Sequence, residues 1–100
     1  MKIKLVAISA TLLALAAGAA QGQEARYMAA VCANCHGTDG KATSAGGMPG
    51  LAGLSRPYFI EQMNAFKAGK RQATIMHQIS KGFSDEQISV LADYFSTQKK

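Results

Sequence analysis

Two thiols and an imidazole lie within five consecutive residues, Cys32-Ala33-Asn34-Cys35-His36, and these are the only two cysteines of the chain. On one helical turn, residues i and i+3 share a face. Both sulfurs can therefore address one edge of the same partner, and the histidine that follows offers a ring nitrogen beside them. Thiols at this spacing are also the material of a redox pair, a zinc site or a structural disulfide. Further soft or nitrogen ligands lie elsewhere, at Met28, Met48, Met63, Met76 and His77.

C-x-x-C-H is the attachment motif of a c-type haem. The thiols add across the two porphyrin vinyl groups as thioethers, and His36 is held under the iron as the proximal ligand. The competing readings fit less well. A thioredoxin-like pair belongs beside a βαβ unit, which the pattern lacks. A zinc site needs four ligands, and Cys32, Cys35, His36 and His77 do not have finger or ribbon spacing. A disulfide closing so small a loop removes little unfolded-chain entropy and leaves His36 unexplained. The expectation is one covalent haem c.

The iron then needs a second axial ligand or an open position. Met28 is too near the motif to reach the opposite haem face. Met63 lies mid-helix among aromatics, where a thioether usually fills a core. Met48 sits in a loop and can in principle reach round. His77 lies about 100° round the helix from Met76, so the two cannot both face the iron. Met76 follows His36 by 40 residues, between Ile75 and Ile79, which would keep water from the metal. His/Met is an established axial pair for haem, so His36 and Met76 are the expected metal ligands. Such an iron has no open position for a substrate. The expectation is an electron carrier and not an enzyme.

The elements that must position these groups read as helices. Glu24 to Ala33 has good helix formers, with Met28, Val31 and Cys32 at helical spacing. Gly37 ends it. From Gly40 to Gly53 the chain is rich in glycine and holds Pro49, the mark of an irregular loop. Ser55 is an N-cap before Arg56-Pro57, and Tyr58 to Ala68 carries Phe59, Met63 and Phe66 on one face. Gly69 is placed to terminate that helix. A short helix is expected from about Thr74 to Ser80, with Gly82 as its stop. Ser84-Asp85-Glu86-Gln87 is a capping box for a last helix with Ile88, Leu91, Ala92 and Phe95 on one face. The expected class is all-α, about four helices and a glycine-rich loop wrapped around a flat cofactor.

Met1-Lys2-Ile3-Lys4, the apolar stretch from Leu5 to Ala17 and the small residues that follow have the layout of a secretory signal peptide. Cleavage after Ala20 or after Gly22 fits equally well. The expected division is 1–22 as signal peptide and 23–100 as one domain, exported to the periplasm, with no membrane span after cleavage. An uncleaved anchor is the alternative. The formal charge is +5; without Lys2 and Lys4, nine basic and six acidic residues leave +3. With no Trp and no basic run interleaved with aromatics, nucleic-acid binding has no support. A domain this small usually needs a staple, a metal or a cofactor to complete its core.

The order C-x-x-C-H-G-x-x-G, a glycine-rich loop with Pro, a middle helix, a Met and an amphipathic last helix resembles the small single-haem bacterial cytochromes c of the His/Met class. The resemblance runs from about Glu24 to Lys99. The segment from Ala73 to Glu86, with Thr74-Ile75-Met76, is similar to the distal-ligand segment in the cytochrome subunit of flavocytochrome c sulfide dehydrogenases. That likeness implies that Met76 is the distal ligand. It also implies that the Pro49 carbonyl accepts a hydrogen bond from the ring nitrogen of His36 not bound to iron, fixing the tautomer and raising ligand basicity. Pro49 thus joins Cys32, Cys35, His36 and Met76 as a cofactor-binding residue. Some such subunits carry two haem domains, whereas this chain has one C-x-x-C-H.

The resemblance implies a redox protein partner: a flavoprotein subunit that oxidises sulfide and passes its electrons to this chain. The alternative is a freely diffusing carrier serving a terminal oxidase or another redox enzyme. Lys67, Lys70, Arg71 and Lys81 flank Met76 in sequence. They either form a basic rim that steers an acidic partner or are an ordinary solvated face.

Overall fold

Ser84 opens the last helix as the capping box requires: its hydroxyl accepts from the Gln87 backbone N–H, and the Gln87 side chain accepts from the Ser84 N–H. The structure is a computed structural model that describes residues 2–42 and 47–100. Residues 43–46, part of the expected glycine-rich loop, lie outside the described residues. In chain order come α1 (Lys2–His36), a 3₁₀ turn (Thr38–Gly40), α2 (Arg56–Lys67), α3 (Met76–Lys81) and α4 (Asp85–Ser96). No strand occurs among the described residues, and the all-α expectation holds.

The first helix is longer than expected. The Glu24–Ala33 segment is the last part of a 35-residue helix, about 50 Å long at the standard rise. Neither Gly18 nor Gly22 interrupts it, because glycine costs a helix only about 1 kcal/mol and does not block its hydrogen bonds. Its early turns carry exposed Leu12, Leu13 and Leu15, while Ala25 and Ala29 further along are buried. Those alanines let α1 and α4 approach closely. No helix among the described residues is long and apolar enough to cross a membrane.

The core joins three helices. Ala29 of α1, Phe59 and Met63 of α2, and Ile88, Leu91, Ala92 and Phe95 of α4 form one buried cluster. The four α4 residues follow i, i+3, i+4, i+7, the stripe expected of a helix with one face in a core. Phe59 and Phe95 stack with centroids 5.6 Å apart. Burying a side chain of this kind contributes about 1.5–3 kcal/mol.

Helix α2 starts at Arg56, with the Ser55 hydroxyl accepting from Tyr58 N and Pro57 in the first turn. Gly69, at φ 71°, follows its end. Helix α3 begins at Met76, two residues later than expected. Thr74 and Ile75 are β-branched, which disfavours the first turn of a helix, and Ile75 at φ −143° makes no side-chain cap.

Candidate haem site

His36 is the final residue of α1. The helix stops there because Gly37 sits at φ 85°, and a Cβ on it would lie 2.4 Å from the Lys41 carbonyl oxygen. Only glycine fits this left-handed, crowded position. The chain turns back sharply and leaves the His36 ring in the interior, 7% exposed.

The two ring nitrogens have different surroundings. Nδ1 lies 2.8 Å from the Pro49 carbonyl oxygen. A carbonyl can only accept, so Nδ1 donates and Nε2 keeps its lone pair. Nε2 is buried and has no hydrogen-bond partner. A buried ring nitrogen left unpaired is costly and calls for an explanation. A neutral imidazole with one nitrogen bonded to a carbonyl and the other bare is the ligand form used at metals. The residues present therefore fit an axial haem ligand at His36.

Pro49 is held in place from behind. The Gly40 carbonyl accepts from Leu51 N at 2.8 Å and from Ala52 N at 3.1 Å, and Gly53 N donates to the Phe95 carbonyl at 2.9 Å. One further contact braces the turn: the Tyr94 hydroxyl donates to Asp39 Oδ1 at 2.6 Å. Asp39 itself has φ 54°, a left-handed conformation that Asp tolerates better than most residues. Sequence inspection missed this pair, and nothing in the local pattern flags it, since 55 residues separate its members.

Cys32 and Cys35 lie at the end of α1, three positions apart, and are not joined to each other in a disulfide. Cys32 packs half-buried against the core cluster, whereas Cys35 is exposed. Burial pushes the Cys32 thiol above its ordinary pKa, opposed in part by a backbone hydrogen bond. Among the described residues, no three His, Cys, Asp or Glu side chains converge as they would at a zinc site.

The remaining candidate ligands divide by environment. Met63 belongs to the buried core, and Met28 and Met76 pack half-buried against it. Met48 is exposed, on the same side of Pro49 in sequence as residues 43–46, and His77 is half-buried. Met76 is the first residue of α3, and its neighbour Ile75 is exposed rather than walled in. Of the four basic residues near Met76 in sequence, two are already engaged. Lys67 Nζ donates to the Phe83 carbonyl at 2.6 Å. Arg71 lies 4.6 Å over the Phe66 ring and donates to Gln62 at 2.6 Å. Lys70 and Lys81 are exposed.

Comparison with known proteins places this geometry in context. The family model for cytochrome c matches residues 19–99. The cytochrome subunit of sulfide dehydrogenase from Chlorobaculum tepidum is 39% identical over 69 residues, covering 69% of this chain and 61% of that protein. The thiosulfate dehydrogenase electron acceptor of Stutzerimonas stutzeri is 37% identical over 94 residues, covering 88% of this chain and 44% of that one. The structure of cytochrome c4 from Acidithiobacillus ferrooxidans superposes with a TM-score of 0.61 at 41% identity, over 66% of this chain and 37% of that chain. The chain thus spans about half the length of several relatives it matches, 44% and 46% in two of them.

Proposed function

The chain belongs to the cytochrome c family, whose members carry covalent haem c and transfer electrons, and from that premise we propose a residue-level site, a location and a partner. Cys32 and Cys35 would hold one haem as thioethers, and His36 Nε2 and Met76 Sδ would be the ligands to its iron. Residues 1–22 act as a leader that delivers the 23–100 domain to the periplasm. When bound, the haem supplies one-electron Fe(II)/Fe(III) cycling.

The observation that carries this reading is the bare, buried Nε2 of His36 opposite an Nδ1 bonded to Pro49. The Pro49 carbonyl holds the imidazole in one tautomer and one orientation and increases its basicity. The Met76 thioether favours the reduced state. The two thiols, set on one turn, fix the edge of the macrocycle to α1. Phe59, Met63 and Leu91 supply a dry interior that disfavours the extra charge of the oxidised state.

For the partner, we favour a flavoprotein that oxidises sulfide and hands electrons to this chain. The likeness to the sulfide dehydrogenase subunit supports this, together with the Ala73–Glu86 segment. A freely diffusing carrier is the second reading. It is favoured by comparable identity, 40%, to cytochrome c4 of Pseudomonas aeruginosa and by the thiosulfate dehydrogenase acceptor. Co-purification with a flavin-containing subunit from the native source supports the first; a monomer that elutes alone supports the second.

Intact mass of the exported protein tests the site directly: one haem increment and loss of the leader are expected. A polypeptide without the increment rules the site out. Met76→Ala should keep the covalent haem, lower the reduction potential and let the ferrous protein bind carbon monoxide. If its spectrum matches wild type, ligation passes to Met48 or His77.

A further inference from the structure

We propose that Tyr94 is a positioning residue for the axial imidazole: its hydroxyl, by holding Asp39, sets the Pro49–His36 hydrogen bond from the far side of the turn. The inference rests on ligation by His36 as proposed above.

His36 donates its hydrogen bond to the carbonyl of Pro49, a residue that lies in no helix. Pro49 lies between residues 43–46 and the Leu51–Ala52 pair. It is located by the two backbone donors, Leu51 N and Ala52 N, that converge on the single carbonyl of Gly40. The position of that carbonyl therefore decides where Pro49 meets the ring. Gly40 ends a turn of only three residues, and the residue before it, Asp39, is left-handed. A left-handed conformation is disfavoured for a non-glycine residue, less so for Asp than for most, and it is held by its surroundings.

Two contacts from α4 hold it. The Tyr94 hydroxyl donates to the Asp39 carboxylate at 2.6 Å. The Phe95 ring lies under Gly40, so closely that a Cβ on that glycine would come within 2.9 Å of it. The adjacent Tyr94 and Phe95 rings meet edge to face at 5.3 Å, so the hydroxyl is aimed by a ring that is itself packed. A short bond from a neutral hydroxyl to a carboxylate is among the stronger kinds. The path runs Tyr94, Asp39, Gly40, Leu51 and Ala52, then Pro49 and His36, and each link except the chain itself is a hydrogen bond.

The consequence is chemical as well as structural. A firm Nδ1–H to carbonyl bond makes the imidazole more basic and so stabilises the oxidised metal. Loosening it shifts the reduction potential upward.

The test uses the full-length exported protein with its haem attached, and three variants. Tyr94→Phe keeps the ring and removes the donor. Asp39→Ala removes the acceptor. Asp39→Asn keeps an acceptor oxygen and tolerates the left-handed backbone. The primary readout is solvent exchange of the His36 Nδ1–H, followed by NMR on the reduced protein; the second is the reduction potential. Tyr94→Phe and Asp39→Ala should each accelerate exchange by roughly tenfold, the ratio expected for one charge-assisted hydrogen bond, and raise the potential. Asp39→Asn keeps the bond without its charge and should fall between wild type and Asp39→Ala, and Tyr94→Phe combined with Asp39→Ala should add nothing to either alone. If Tyr94→Phe does not fold, Asp39→Ala against Asp39→Asn carries the same comparison. A haem-loaded Tyr94→Phe protein with wild-type exchange and potential overturns the inference alone. So does an Asp39→Asn protein that behaves as Asp39→Ala, because charge and not the hydrogen bond would then be responsible. A wild-type chain with no haem mass increment overturns the site assignment and this inference with it.

Discussion

Helix α4 and the described part of the Gly37–Gly53 segment both bear on His36, and they are held together by different forces. In α4 the residues Ile88, Leu91, Ala92 and Phe95 are 1% exposed or less, the capping box closes the first turn, and the stability comes from apolar area removed from water. In the segment, few side chains take part: Ala52 is buried, Leu51 leans on the core, and the Asp39 carboxylate accepts from Tyr94. Gly37 and Gly40 adopt positive φ, and the backbone is tied by a few long-range hydrogen bonds to Gly40 and Phe95. The helix would keep its shape with many apolar sequences. The segment depends on individual atoms, so the tuning of the imidazole rests on a few contacts that have no substitute.

That contrast can be broken or sharpened by variants of graded effect. Phe95→Ala strikes the common support of both regions, and it should cost about 3–5 kcal/mol, measured by denaturant unfolding. Gly40→Ala strikes the segment and, through the Phe95 ring 2.9 Å from the added methyl, its seat on α4. The new methyl would meet Leu51 Cβ at 2.8 Å and Ala52 N at 2.9 Å, at φ 74°. Backbone strain and overpacking together should cost about 2–4 kcal/mol, with faster His36 ring-proton exchange. If Gly40→Ala were as mild as a surface change, the segment would be less constrained than the contrast requires. Ser84→Ala removes one cap from α4 and should cost about 1 kcal/mol, with no effect on the haem spectrum.

The smallest effect is one of pH. The Tyr94 phenol is pushed up, first by its hydrogen bond to Asp39, then by burial and by the charge of that carboxylate, with Arg26 acting the other way. The folded protein therefore favours the neutral phenol. Its contribution is whole below the ordinary tyrosine value of about 10 and is lost as the pH rises through the higher folded value. Wild type should lose stability faster than Tyr94→Phe above that pH, and the two should run parallel below it. Urea midpoints across the alkaline range measure this.

Much of the helical half was legible before any coordinates. The stripe of α4, its Ser84 cap and the Ser55 cap of α2 are local patterns, set within one or two turns, and local patterns can be read directly. The expectation for Cys32, Cys35 and His36 is of the same local kind, since it rests on their spacing alone. The continuous course of α1 was less legible. The change from an apolar stretch to an amphipathic one predicts a boundary, but alanine-rich sequence gives a helix no reason to stop. The late start of α3 turned on the poor fit of Thr74 and Ile75 to a first turn. The Tyr94–Asp39 bond and the engagement of Lys67 with the Phe83 carbonyl were not legible at all. They join residues 55 and 16 positions apart, and only the packing of α4 and α2 brings them together.

The setting of Cys32 has a further consequence. Its side chain packs against the same core cluster that holds Phe59 and Phe95. A group tied to that sulfur is moored to the most closely packed part of the molecule, where small changes of volume are felt. Repacking the core is thus a way to act on that group without touching a residue that binds it.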